Sequence, residues 1–359
     1  MKRILIVLRH DADSKPGGDS NLLQHISRLL PDFQTDLTFG VPSSVDDYEY
    51  VISSNLDRPR EGYELLKLCK KSSIPLHFMT LHHYSNEAIS NYLKNGLYGW
   101  KYLVALFSNF NPIKYEQFLW NIRVIISFFK KGKKLRFGNV AKAQKELINR
   151  CDYLLVVSKD EHMSIKRDFG NIESKVIEFP HILKNDFEFN QKSVKKDLIL
   201  CPGRVECRKN QLFLLDVAES MPEMKFLFMG KINESDKKFV KKFLKKAEML
   251  KNVEISQALE IEEFNSFLFN SNIVLTASWF EVTSLIELQV LSNKKKLVCN
   301  SLSYNSSFFE NSLVYEHNDI ESCRQKILDA KKDNFIVSGN YPSSKGIIEH
   351  YTSIISQSE

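Results

Sequence analysis

The chain is poor in the residues that break up fibrous and low-complexity proteins: its 359 residues include 13 glycines, 10 prolines and three tryptophans. That scarcity excludes a collagen-like repeat or a Pro/Gly-rich disordered tract, and no fixed-period repeat points to a solenoid. Cysteine is also sparse, with six residues at 69, 151, 201, 207, 299 and 323 and no Cys-x-x-Cys pair. A zinc site and a disulfide framework are therefore disfavoured, and the thiols read as reduced and cytosolic. No run reaches the roughly 18 apolar residues that a membrane-spanning helix needs. Any membrane contact is then peripheral. The basic, apolar start from Met1 ends its apolar run at Arg9 with no small-residue cleavage site after it, so it reads as a first strand and not as a signal peptide. Charge of one sign is hardly in excess, since 50 Lys plus Arg against 44 Asp plus Glu leave a formal +6. Dispersed charge without a stacked aromatic platform or a helix-turn-helix pattern gives no footprint for nucleic acid.

What is present is an ordinary globular composition, 43% hydrophobic and 26% charged, long enough for two cores. Short apolar, β-branched runs at 3–8, 49–53, 75–81, 153–157 and 175–178 form one set of strands, and 197–201, 225–230, 253–256, 272–277 and 296–299 form a second. Segments of helical period lie between them, among them 21–30, 236–250, 261–269 and 284–291. This alternation predicts parallel sheets covered on both faces, an α/β fold built twice. The polar stretch 185–196 carries charges of both signs without a period and reads as a linker, dividing the chain into domains at 1–188 and 189–340 with a last helical segment at 341–359. In open parallel sheets ligands sit outside the carboxyl ends of strands, and a cleft between two sheets is the default site.

The strongest local signal is 198–211, a strand ending in Gly203 that presents Arg204, Arg208 and Lys209 before a helix. Such a cluster suits an anion, Arg as a bidentate fork and Lys as a mobile point charge. The strand 272–277 runs into a second signal, the turn Glu281, Val282, Thr283 and Ser284 that opens a helix. Unpaired amides of that first helical turn suit a phosphate. A carboxylate cannot usefully bind the phosphate itself, so the partner expected for Glu281 is a hydroxyl, as on a sugar.

These residues resemble the carboxyl-terminal half of the GT-B glycosyltransferases of family 4. Gly203-Arg204 to Lys209-Asn210 is similar to that family's Gly-Arg and Lys-Gly element, Phe228-Met229-Gly230 to its Gly-ended strand, and Ser278 to Gln289 to its Glu-x7-Glu helix. The amino-terminal half resembles the acceptor domain through Lys15-Pro16-Gly17-Gly18-Asp19, through Thr80-Leu81-His82 and through 151–161. Three positions depart from the pattern: Gln289 stands for the second Glu, with Glu287 two residues earlier; Thr283-Ser284 replace a Gly-x-Gly; and Pro180-His181-Ile182 replace an Asn-Gly at the interdomain crossover.

The resemblance implies two Rossmann-like domains facing across a cleft, an acceptor domain at 1–188, a nucleotide-sugar domain at 189–340, and a final helix crossing back to the first. It implies a retaining transfer from a UDP- or GDP-sugar to a hydroxyl of a saccharide or lipid-linked saccharide, in surface polysaccharide synthesis such as that of lipopolysaccharide. Arg204 and Lys209 would stabilise the leaving group, Glu281 would orient the sugar, and His82, with His83 as its rival, would act from the acceptor domain. Gly17, Gly18, Gly203, Gly230, Val282, Thr283 and Ser284 would approach phosphates or acceptor, and Gln289 the ribose. No metal or other cofactor is expected, because the cations serve instead and no Asp-x-Asp that would hold a metal stands out. The cluster 122–129 followed by Lys130, Lys131, Lys133, Lys134 and Arg136 suits a peripheral contact with anionic lipid at the inner face of a cell membrane. Two rival functions share the architecture: a non-catalytic nucleotide-sugar binder or partner subunit, and a nucleotide-sugar epimerase.

Overall fold

The computed structural model describes residues 2–13, 17–30, 33–83, 86–131, 138–183, 195–256, 261–332 and 337–356. Lys15 and Pro16 of the glycine turn, most of the 185–196 linker, and Lys133, Lys134 and Arg136 of the basic cluster lie outside the described residues.

The chain opens with β1 (Lys2–Leu8), α1 (Gly18–Ile26), β2 (Phe33–Phe39), β3 (Tyr50–Ser54), α2 (Arg60–Ser72) and β4 (Leu76–Met79). Four helices follow, α3 (Asn86–Asn95), α4 (Trp100–Phe107), α5 (Pro112–Lys131) and α6 (Val140–Arg150), then β5 (Tyr153–Val156), α7 (Lys159–Phe169) and β6 (Lys175–Glu178). The second half runs β7 (Lys195–Pro202), α8 (Gln211–Ser220), β8 (Lys225–Met229), α9 (Lys237–Ala247), β9 (Val253–Ser256), α10 (Ile261–Asn270), β10 (Ser271–Leu275), α11 (Leu285–Ser292) and β11 (Lys296–Asn300). It closes with β12 (Phe309–Glu310), β13 (Val314–Tyr315), α12 (Ile320–Ala330), β14 (Ser338–Gly339) and α13 (Ser344–Ser356).

Two compact units result, residues 1–84 with 111–183 and 342–359, and residues 85–110 with 184–341. The segment 85–110, placed in the first domain by the sequence reading, belongs to the second. The physical reason is aromatic and ionic: Tyr92 meets Phe280 edge-on with ring centroids 5.2 Å apart, Ala88 is buried with Trp279 and Phe280, and Lys101 pairs with Asp236.

The first unit holds a parallel sheet in the order β2-β1-β3-β4-β5-β6. Its inner strands are apolar on both faces because helices cover both, and Val51, Phe78 and Leu154 are fully buried. Leu65 and Leu66 of α2 and Leu147 of α6 complete this core. Helix α13 belongs here too, with Tyr351 buried against Phe179 and its hydroxyl 2.6 Å from His77 Nδ1. The second unit holds the sheet β13-β11-β10-β7-β8-β9, with α8 and α9 burying Phe213, Phe239 and Phe243 against Phe226 and Phe228. Each such phenylalanine contributes about 2–3 kcal/mol on leaving water.

Both sheets are doubly wound: strand order runs outward one way from β1 and the other way from β3, and likewise from β7 and β10. At such a switch point adjacent connections leave in opposite directions, and a crevice opens beyond the carboxyl ends of the two strands. Those ends are Leu8 and Ser54 in the first unit and Pro202 and Leu275 in the second.

Candidate active site

In the second unit, β7 ends at Pro202 and turns at Gly203, whose φ of +136° suits glycine and few other residues. The Gly203 N–H donates to the Met229 carbonyl at 2.9 Å, tying this turn to the end of β8. Gly230 lies so close that a Cβ there would stand 2.2 Å from the Gly203 carbonyl oxygen. A tight turn at Cys207–Lys209 then leads to Asn210 at φ +53°, the left-handed conformation asparagine tolerates better than other side-chain-bearing residues. Asparagine thus stands where the family's motif places glycine. Its amide also donates to Asn318 Oδ1 at 2.9 Å.

Beyond β10 the chain returns over this turn, and the Trp279 N–H donates to the Arg208 carbonyl at 2.9 Å. That bond brings Glu281 between two cations. Lys209 Nζ lies 2.5 Å from Glu281 Oε1 and Arg208 Nη1 lies 2.7 Å from Oε2, while Arg208 also donates to the Phe280 carbonyl at 3.3 Å. Glu206 joins from the other side, 3.4 Å from Arg208 and 4.0 Å from Arg204. Arg204, Glu206, Arg208, Glu281 and Lys209 therefore form one network of three cations and two carboxylates. Burial alone would raise the Glu281 carboxyl, but the Arg208 and Lys209 charges outweigh it and hold the group well below its ordinary range. Burial would lower Arg208, and Glu281 and Glu206 reverse that.

The turn continues through Val282, Thr283 and Ser284 into α11. The Ser284 hydroxyl caps the helix by accepting from the Glu287 N–H at 3.4 Å, and the Thr283 hydroxyl donates to the Val282 carbonyl at 2.7 Å. Pro202, Lys209, Gln211, Thr276, Ser278 and Ser284 line a crevice at this switch point. Glu287 is buried beneath it and accepts from the Thr276 hydroxyl at 2.8 Å. Burial pushes its carboxyl up to about 8, helped by the nearby Glu281 charge. Gln289, two residues on, is half-buried.

The remaining sequence-predicted residues lie in the first unit. Gly17 precedes α1 and Gly18 begins it, beside Asp19, which Arg9 holds at 2.7 Å. His82 is buried after β4, its backbone N–H donating to Glu161 Oε1 at 2.6 Å. Its Nδ1 lies 2.6 Å from Asp57 and its Nε2 3.1 Å from Asp168, so both ring nitrogens are engaged. Burial would lower the imidazole, but the Asp57 charge and the Asp168 contact raise it. His83 Nδ1 also pairs with Asp57. The chain thus brings Lys209, Glu281, Gly203, Gly230 and the 282–284 turn together, reaches Arg204 through Glu206, and holds His82, Gly17 and Gly18 in the other unit. Sequence reasoning did not single out Glu206, Asp57 or Asp168. A carboxylate three residues before a Lys, as Glu206 is to Lys209, is the only trace the first leaves in the sequence.

Two doubly wound parallel sheets, each with a crevice at its switch point, define the GT-B fold of glycosyltransferases, and this chain has that fold. Residues 184–347 match the model of the family of glycosyl transferases group 1. Sucrose-phosphate synthase from Thermosynechococcus elongatus is similar in fold, with a TM-score of 0.62 at 10% identity over 99% of this chain and 94% of that one. HepE from Anabaena in complex with UDP gives 0.63 at 12% identity over 99% and 95%. The lipopolysaccharide outer core galactosyltransferase WaaB gives 0.55 at 11% identity over the full length of both chains. No curated protein matches the sequence.

Proposed function

We propose that this protein transfers a sugar from a UDP- or GDP-sugar to a hydroxyl of a saccharide or lipid-linked saccharide, with retained anomeric configuration, in the synthesis of a surface polysaccharide such as lipopolysaccharide. The observation that carries the reading is the network Arg204, Glu206, Arg208, Glu281 and Lys209 at the second sheet's switch point. When the bond from the anomeric carbon to the phosphate oxygen breaks, its electron pair stays on the diphosphate. Arg204, Lys209 and the amides around Thr283 offset that charge, which makes a metal ion unnecessary in this reading. Glu281 orients donor-sugar hydroxyls. Gly203 and Gly230 admit the nucleotide backbone, and Gln289 takes the ribose because Glu287 is buried and engaged. Gly17, Gly18 and His82 serve the acceptor side. The experiment is a thermal-shift screen of nucleotide sugars followed by an assay of donor hydrolysis and transfer. At a hundred times its Kd a ligand stabilises the fold by about 2.7 kcal/mol. A stabilising donor that is turned over supports the reading, and no stabilisation by any nucleotide sugar contradicts it. The replacement of the second Glu by Gln289 favours one alternative, a binder without activity, which the same assay exposes as stabilisation without turnover.

The reading includes a cytoplasmic protein at the inner face of the membrane. Helix α5 leaves Ile125, Ile126, Phe128 and Phe129 exposed, and no helix among the described residues is long and apolar enough to cross a bilayer. Resting that face on anionic lipid would bury it. Vesicles with anionic lipid should carry the protein upward in a flotation gradient at low salt and release it at high salt. Failure to float at low salt contradicts the contact.

A further inference from the structure

The first sheet has its own switch point, between β1 and β3, and a cavity of about 490 Å³ opens there. Its floor is the carboxyl ends of β1, β2 and β3, and one wall is α5. That volume falls within the range of small-molecule sites. Four arginines line it: Arg9, Arg58, Arg60 and Arg123. Three have carboxylate partners. Arg9 lies 2.5 Å from Asp11 and 2.7 Å from Asp19, Arg60 lies 3.6 Å from Glu64, and Arg123 lies 2.5 Å from Glu116. Glu61, also in the lining, pairs with His10 through both its ring and its backbone N–H.

Arg58 is the exception. Among the described residues no carboxylate comes within 4.0 Å of its guanidinium, and its backbone N–H, not its side chain, makes the bond to Asn55 at 3.0 Å. Burial and the like charges of Arg123 and Arg9 push its pKa down, and the weaker opposing charges of Glu116 and Asp11 do not restore it. A guanidinium half withdrawn from water and unpaired beside two other arginines costs stability, and an anion entering the cavity removes that cost through a bidentate contact. Apolar surface from Leu8 and Phe39 faces the same space and suits the hydrophobic face of a sugar ring.

We propose that this cavity holds an acidic acceptor, a saccharide bearing a phosphate or carboxylate group, with Arg58, the lining arginine that has no carboxylate partner among the described residues, gripping the anionic group. The proposal rests on the glycosyltransferase reading for the word acceptor; the anion site itself does not. The test titrates the full chain, saturated with UDP to occupy the donor site, with inorganic phosphate, glucose 6-phosphate, glucuronate and glucose, followed by calorimetry. Expected is binding of at least one charged sugar ten-fold or more tighter than glucose, a loss of ten-fold or more in Arg58→Gln, and partial recovery in Arg58→Lys, which keeps the charge without the fork. Phosphate and carboxylate are told apart by which charged sugar binds. Equal affinity in Arg58→Gln at an unchanged melting temperature, or glucose binding as tightly as the acids, overturns the proposal. Should Arg58→Gln melt early, Arg58→Lys at native stability decides: it overturns the proposal if it too leaves affinity unchanged, since the planar fork is lost. The affinity for UDP and GDP, measured on the same sample, reports separately on the donor reading. A chain that binds glucose 6-phosphate through Arg58 but neither UDP nor GDP loses that reading and keeps the anion site.

Discussion

Glu281 is held by two cations at once, and this makes it both a strong structural tie and a poor residue to delete. Removing it leaves Lys209 without its carboxylate and Arg208 with Glu206 alone in a mostly buried setting, a change that costs about 3–5 kcal/mol in comparable sites. Glu287, six residues later, behaves in the opposite way, because its carboxyl is buried against a neutral hydroxyl and next to a negative charge. Below pH 4.5 that carboxyl is protonated whether the chain is folded or not; between there and about 8 only the folded chain keeps the proton. Stability therefore falls as pH rises through this window. Glu287→Gln should abolish that part of the fall and be the more stable form at pH 8, by an amount on the order of a few kcal/mol. Urea unfolding of both proteins at pH 5, 7 and 9 checks it, and parallel slopes with pH would show that Glu287 is not the titrating group. Which basic residues cluster was legible in the run Arg204 to Lys209. That Arg208 and Lys209 share Glu281, and that Asp57 and Asp168 enclose His82, was not, since pairing across 73, 72, 25 and 86 positions leaves no local pattern.

The elements followed the sequence wherever one period dominated. Apolar strands β1, β7, β8 and β11 and helices α9, α10 and α13 fall close to the expected segments. Strand β2 was missed because it lies at the sheet edge: its sequence mixes Gln34, Thr35, Asp36 and Thr38 with apolar residues, and Leu37 and Phe39 stay 45% and 46% exposed. An edge strand covered on one face at most carries no continuous apolar run. The 75–81 run ends as a strand at Met79 because Thr80 and the His82 N–H turn to the buried carboxylate of Glu161. Glycine placement gives a test at this scale. Gly230→Ala forces a Cβ to within 2.2 Å of the Gly203 carbonyl and should cost about 2–4 kcal/mol. Gly18→Ala meets nothing within 4 Å at the start of α1 and should be neutral or stabilising by up to about 1 kcal/mol. Chemical denaturation of the two variants measures both. Equal effects would mean that the close approach of the β7 and β8 ends is not a constraint.

For the molecule as a whole, two alternating strand sets were enough to predict two parallel sheets. The helices of 85–110 escaped because their partners, Trp279, Phe280 and Asp236, lie more than a hundred residues away along the chain. Sheet order was equally invisible, although it places the crevices: Arg9, Arg58, Arg60 and Arg123 line the first, and Lys209 lines the second. Arg204 offers the cleanest probe of the network it shares with Lys209. Its side chain is 47% exposed and its 4.0 Å approach to Glu206 is worth little, so Arg204→Ala should keep the stability of the fold within about 0.5 kcal/mol. The decisive measurement is the turnover of Arg204→Ala with whichever nucleotide sugar stabilises the native chain. A fall of about 100- to 1,000-fold at an unchanged melting temperature is expected; turnover close to that of the unmodified protein would show that this cation does not bear the charge of the departing diphosphate.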